Sequence, residues 1–125
     1  MGAMQRNKGS RGERLIVNRL KEAGFETAQR NLMQTARGGY DITGLEPLAI
    51  EVKDHKKPNI PQWWRQTTDN AHGDLIPVLI YHIPHTSRWE CKIPMSMVNA
   101  DLSGDRTVTV DFEDFIYLAR EIVPP

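Results

Sequence analysis

The sequence predicts an α/β domain in which a mixed central sheet carries helices on its faces. Three observations carry this expectation. Apolar residues recur at helical spacing near the N-terminus and again from Ile60 to His72. Leu48 to Lys53 alternates between apolar and polar, as a strand covered on one face does. Ile76 to Ile83 is a short continuous apolar run, the pattern of a central strand covered on both faces. Helices interleaved with strands in this way pack as a sheet with helices laid on it.

The 125 residues suffice for one domain, taken as 5–125 because Met1-Gly2-Ala3-Met4 reads as a cloning remnant. Ser10 to Ala23 is the first helix, with Leu15, Ile16, Leu20 and Ala23 as its apolar stripe. Ser10 and Glu13 have capping-box spacing, and Gly24 can close the helix. Phe25 to Asn31 is a weakly alternating strand, and Leu32 to Gly39 is a loop. Tyr40 to Gly44 and Leu48 to Lys53 are strands joined by a tight turn through Leu45-Glu46-Pro47. In the second helix, Asn59 is the cap and Ile60, Trp63, Trp64, Thr67 and Ala71 form the stripe. Pro77 fits only at the beginning of the Ile76 strand. Arg88 to Ile93 alternates with Trp89, Cys91 and Ile93 on one side, and Arg106 to Val110 is a further strand. Asp111 caps a last helix whose inner face is Phe112, Phe115, Ile116, Ala119 and Ile122.

Composition excludes several function classes. Sixteen basic residues balance sixteen acidic ones, so the chain is not a globally basic nucleic-acid binder. No apolar stretch is long enough to cross a bilayer, and the N-terminus has no signal-peptide core. The single cysteine, Cys91, forms no internal disulfide and no thiolate metal site, and a cytoplasmic compartment is the default. The balanced total hides a gradient. Gln5 to Arg37 holds eight basic and three acidic residues, a net of +5, whereas Asp101 to Pro125 has a net of −4. A basic N-terminal segment suits a phosphate backbone; solvated charge, or two ends facing each other, accounts for it equally.

The chemistry concentrates in two neighbouring stretches. On the strand from Leu48 to Lys53, Leu48, Ile50 and Val52 point one way and Ala49, Glu51 and Lys53 the other. A three-residue hairpin loop pairs Gly44 with Leu48 and sets Asp41 opposite Glu51, with β-carbons roughly 5 Å apart. Two carboxylates that close call for a cation between them, and Mg²⁺ accepts one or two protein carboxylates. The competing account is ordinary: Asp41 as a turn residue, and Glu51 with Lys53 as a solvent-facing ion pair worth under about 1 kcal/mol. An inner strand argues against it, since buried charge needs a partner or a metal.

Asp41, a short hairpin and Glu51-Val52-Lys53 resemble the Asp…(Asp/Glu)-x-Lys signature of the PD-(D/E)XK nuclease superfamily. Within it the chain is most similar to archaeal-type Holliday junction resolvases and their phage-borne relatives. Lys8-Gly9-Ser10-Arg11-Gly12-Glu13-Arg14 is similar to the basic opening of those proteins, and Asp74 to Leu79 to the strand after their second helix. The similarity covers Lys8 to Ile93. Tyr40 stands where the family usually has proline, and the segment from Asp101 onward matches nothing in it.

The resemblance implies a restriction-endonuclease-like sheet with an αβββαβ core, to which this chain adds a C-terminal strand and helix. It implies a metal-dependent endodeoxyribonuclease with Glu13, Asp41, Glu51 and Lys53 as catalytic residues. Asp41 and Glu51 hold Mg²⁺, for which Mn²⁺ substitutes, and Glu13 contributes directly or through water; capping accounts for Glu13 about as well. Arg6, Lys8, Arg11 and Arg14 bind the DNA backbone, and Gln62 or Gln66 is an accessory group on the second helix. The implied substrate is four-way-junction DNA, cut by a homodimer in the cytoplasm, that of the host cell for a phage protein. Two alternatives stand beside it: a nuclease of the same kind acting on linear or nicked DNA, and a non-catalytic DNA-binding accessory protein. Trp63 and Trp64 could stack on bases, but their stripe assigns them to the core. His82 and His85 flank a turn without a third ligand, which argues against a metal site. His55, Lys56 and Lys57 form either a phosphate contact or a solvated loop.

Overall fold

The apolar residues of the N-terminal segment place one long helix, α1 (Gly2–Glu22), against the sheet. The computed structural model describes residues 2–32, 39–102 and 104–124, the first seven of these by backbone alone. The expected loop from Leu32 to Gly39 therefore lies mostly outside the described residues. The buried stripe of α1 is Ile16, Val17 and Leu20, and Leu15 is exposed. Leu15 was expected in the stripe; it lies about 100° around the helix from Ile16, off the line that runs through Leu20. Ser10 is inside α1 and not at its N-cap, so the expected capping box does not form. The far end is as expected. Gly24, at φ 105°, reverses the chain while its N–H donates to the Lys21 carbonyl (3.0 Å) and that of Phe25 to Leu20 (3.0 Å). These are the two bonds of a Schellman motif, with Phe25 buried near Leu20.

The strands are β1 (Gln29–Arg30), β2 (Ile42–Thr43), β3 (Leu48–Lys53), β4 (Ile76–His82), β5 (Trp89–Pro94) and β6 (Thr107–Asp111). They form one open sheet in sequence order, antiparallel except for the parallel pair β3–β4. A parallel pair needs a crossover, here provided by α2 (Ile60–Asn70). A short 3₁₀ turn (Met95–Met97) follows β5, and α3 (Phe112–Arg120) follows β6. Among the described residues the architecture is thus a mixed six-stranded sheet with three helices. The first two strands are shorter than expected; β1 is an edge strand of two residues, where weak alternation leaves little apolar surface to hold a longer pairing.

Alternation along β3 and β4 divides the core in two. Leu48, Ile50, Val52, Val78 and Ile80 join the large cluster that α1 and α3 cover, which includes Ile16, Leu20, Cys91, Ile93, Phe112 and Phe115. Leu79 and Tyr81 point to the other face, where Trp63 of α2 packs on them with Ile60, Trp64 and Ile83 at the margin. Asn59 caps α2 as expected, its side chain accepting from the Gln62 N–H (3.3 Å). Asp111 occupies the N-cap position of α3 without a side-chain cap bond. Its carboxylate instead accepts from Arg88 (2.9 Å), because a guanidinium across the sheet is a stronger donor than a helix-end N–H. The C-terminal segment covers the outer edge of β5 and becomes the last strand itself. No helix among the described residues is long and apolar enough to cross a membrane.

The turn between β2 and β3 closes through the Leu48 N–H on the Leu45 carbonyl (2.9 Å), with a cis Glu46–Pro47 bond inside it. Gly44 precedes this turn at φ 90°, and the Thr27 hydroxyl donates to its carbonyl (2.7 Å). A β-carbon at Gly44 would overlap the Thr27 carbonyl. Gly44→Ala is therefore expected to destabilise the fold by at least about 1 kcal/mol, measured by urea unfolding. A variant as stable as the parent would show that this approach is not tight.

Candidate active site

β3 is an inner strand, yet it carries Glu51, only 4% exposed, and Lys53, half-buried, on the face toward α2. Asp41, also buried, lies just before β2. The expected hairpin register is present at Ile42, which pairs with Ile50, and ends there. One residue further the pairing departs from expectation. The Asp41 N–H also donates to the Ile50 carbonyl (2.8 Å), so two residues oppose one, as in a β-bulge. The bulge aims the Asp41 side chain along β3, and its Oδ2 accepts the Val52 N–H (2.8 Å). A side-chain oxygen thereby takes a ladder bond. The Asp41 main chain is held from the other side by the Asn31 N–H on its carbonyl (2.8 Å).

Asp41 and Glu51 are buried close enough to interact, and the electrostatics of Glu51 follow from that. Burial, then the charge of Asp41, pushes the Glu51 carboxyl up to about 8; Asn70 and Lys53 work in the opposite direction. Asn70 Nδ2 donates to Glu51 Oε1 at 2.7 Å. Around this pair opens a cleft of about 400 Å³ lined by Asp41, Glu51, Lys53, Gln66, Asp69 and Asn70. Three of the four expected catalytic residues therefore share one concavity. Of the two glutamines proposed for α2, Gln66 lines it, whereas Gln62 accepts from Asn59 at the start of the helix (3.0 Å). Asp69 and Asn70 were not anticipated. Their signal was present: Gln66, Asp69 and Asn70 fall at i, i+3 and i+4, one polar face of α2.

Glu13 stands apart from the cleft. Its Oε1 accepts from Arg30 Nε (3.1 Å), and Arg30 Nη2 also donates to the Ser10 hydroxyl (3.2 Å). Burial, then the nearby charge of Asp41, raises the Glu13 carboxyl above its usual range, opposed by Arg30. Asp41 thus affects an acid on α1 and an acid on β3. Even so, no group of three or more His, Cys, Asp or Glu side chains among the described residues could hold a metal ion. The carboxylates of Asp41 and Glu51, with that of Asp69 also in the lining, give the cleft oxygen ligands. That fits Mg²⁺, which retains several waters and takes one or two carboxylates, and does not fit a softer metal.

The remaining candidates divide. Arg11 and Arg14 are exposed on α1, and the side chains of Arg6 and Lys8 lie outside the described residues. Trp63 is core, as expected; Trp64 is half-buried under Lys92 Nζ, 5.5 Å from its ring centre. The His82 ring faces Asp54 Oδ1 (3.0 Å) and the Thr86 carbonyl (2.6 Å), so both nitrogens serve the local structure. Lys56 and Lys57 are exposed, and the His55 ring lies 5.6 Å from that of Trp63. Comparison with protein-family models, curated proteins and solved structures finds no match.

Glu51 binds its proton far more tightly in the folded chain than in the unfolded one. Its contribution to stability is therefore present below the ordinary carboxyl range and lost as pH rises through about 8. In EDTA, the melting temperature should fall between pH 5 and 9, and Glu51→Gln should flatten that fall. Each kcal/mol lost lowers the melting temperature by about 4 °C in a domain of this size. Parallel pH profiles for the two proteins would show that Glu51 is an ordinary carboxylate.

Proposed function

We propose that this chain is a Mg²⁺-dependent endonuclease that hydrolyses phosphodiester bonds in DNA, on a restriction-endonuclease-like fold. The observation that carries this reading is the convergence of Asp41, Glu51 and Lys53 in one open cleft on an inner strand. Burial and the charge of Asp41 raise the proton affinity of Glu51, so the buried carboxylate is costly to keep, and a divalent cation beside it would remove the cost. Asp41 and Glu51 would hold Mg²⁺, which when bound supplies Lewis-acid polarisation of a phosphate and a more acidic water. Lys53 orients the attacking water and offsets negative charge that develops on the phosphoryl oxygens. Gln66 offers an amide to a water or phosphate oxygen in the same cleft.

Arg11 and Arg14, with Arg6 and Lys8 before them, contact backbone phosphates without reading bases. Four-way-junction DNA is the preferred substrate in this reading, carried by the resemblance of the N-terminal and hairpin motifs. Cutting such a junction symmetrically takes two identical sites, which a two-fold homodimer provides. The cytoplasm is the proposed place of action. Glu13, engaged by Arg30, supports the site through the field it shares with Asp41, and a direct metal contact from it requires that ion pair to open.

The test is cleavage of a synthetic four-way junction, a linear duplex and a single strand, each with Mg²⁺ and with EDTA. Preferential Mg²⁺-dependent cutting of the junction is expected. Asp41→Asn should abolish it, and Lys53→Ala should slow it about 10²–10³-fold. Equal cutting of all three substrates would remove the junction preference and leave a general nuclease. Equal cutting by Asp41→Asn and wild type would remove the site. Binding of DNA without cleavage would favour the accessory-protein alternative.

A further inference from the structure

We propose that Asn70 sets how Glu51 grips a divalent cation, making it a one-oxygen ligand and so biasing the cleft toward Mg²⁺ over Ca²⁺. The inference rests on the metal reading of the cleft and names a selectivity that this reading leaves open. Asn70 is the last residue of α2, half-buried, and its Nδ2 lies 2.7 Å from Glu51 Oε1. That is at the short end of the N–H···O range. Asn70 Nδ2 is the donor and Glu51 Oε1 the acceptor in this contact. Oε1 is therefore committed to a protein donor. Asp41 is treated in the same manner by a different group, its Oδ2 receiving the Val52 N–H at 2.8 Å.

Each acid thus has one oxygen held by the protein. Carboxylates that each offer no more than one oxygen leave most of a coordination sphere to water. Small Mg²⁺, octahedral and reluctant to dehydrate, matches this; Ca²⁺ takes six to eight oxygens and readily accepts both oxygens of one carboxylate. Removing the Asn70 donor releases Oε1 to join the ion, which favours the larger cation. The Val52 N–H belongs to the backbone and persists in any side-chain variant, so Asn70 is the adjustable half of this arrangement. Asn70 is accordingly a positioning residue, acting through Glu51.

The experiment is calorimetric titration of the full chain with MgCl₂ and, separately, with CaCl₂, in the absence of DNA. Wild type, Asn70→Ala, Asn70→Leu and Asp41→Asn are compared, with thermal melts to establish folding; Asn70→Ser replaces the leucine variant should that one not fold. Loss of an outer partner of a metal ligand typically lowers affinity about 10–100-fold. The expected result is an Mg²⁺ affinity lower by about tenfold or more in the Asn70 variants, with Ca²⁺ affinity unchanged or higher. Asp41→Asn should weaken both ions together. If the Asn70 variants leave both affinities unchanged, or lower them in step, Asn70 has no part in selectivity and the metal site stands without it. If wild type binds neither ion, the metal reading itself fails and the role of Asn70 with it.

Discussion

Glu51 and Asp41 are two acids buried side by side, and much of the local structure consists of the means of tolerating them. An inner strand excludes the water that would otherwise solvate the Glu51 carboxylate, and the Asp41 charge adds repulsion. The protein answers with donors: the Val52 N–H on Asp41, the Asn70 amide on Glu51, and Lys53 two residues along the same face. Among the described residues no buried side-chain polar atom lacks a hydrogen-bond partner. These donors do not fully compensate, and Glu51 retains its proton well above the ordinary carboxyl range. A buried carboxyl held in this way is costly in the absence of a ligand, and the proposed cation would relieve it.

The two faces of the sheet divide the work of stability and chemistry. The face under α1 and α3 carries the large apolar cluster, with Phe115, Ile16 and Leu20 fully buried. The face under α2 carries only the small cluster around Trp63, Leu79 and Tyr81, so α2 covers β3 and β4 partially. Its polar side then closes over Glu51 and Lys53 as a cleft wall and not as core. The same helix anchors itself with Trp63 and presents Gln66, Asp69 and Asn70 to the site. The β-bulge at Asp41 makes the other wall, turning an aspartate out of the regular alternation and along the neighbouring strand.

Electrostatic balance is local throughout. Arg30 neutralises Glu13 and reaches back to Ser10, tying the edge strand β1 to α1. Arg88 contacts both Glu90 and Asp111 at the opposite end of the sheet. Arg120 donates to the Ala23 carbonyl, which joins the acidic C-terminal helix to the end of the basic N-terminal one. The zero net charge of the chain is thus the sum of distinct regions, and the exposed arginines of α1, Arg11 and Arg14, are among the residues proposed to meet phosphate.

Element order, the two faces of β3, the central character of β4, the cap at Asn59 and the glycine closure of α1 were legible in the sequence, because each depends on periodicity or on one residue's backbone preference. The grouping of Asp41, Glu51 and Lys53 was legible too, since alternation and a short hairpin bring them together. Tertiary structure decided the rest. Ser10 and Glu13 have the spacing of a cap, but Arg30, seventeen residues beyond Glu13, takes that carboxylate, and Arg88 likewise takes Asp111 from across the sheet. Spacing along the chain cannot register a competing donor that arrives from another strand. The bulge at Asp41 and the reach of Asn70 to Glu51 depend on how β2 meets β3 and how α2 lies over them, and these are set by packing between segments, not by any pattern within one.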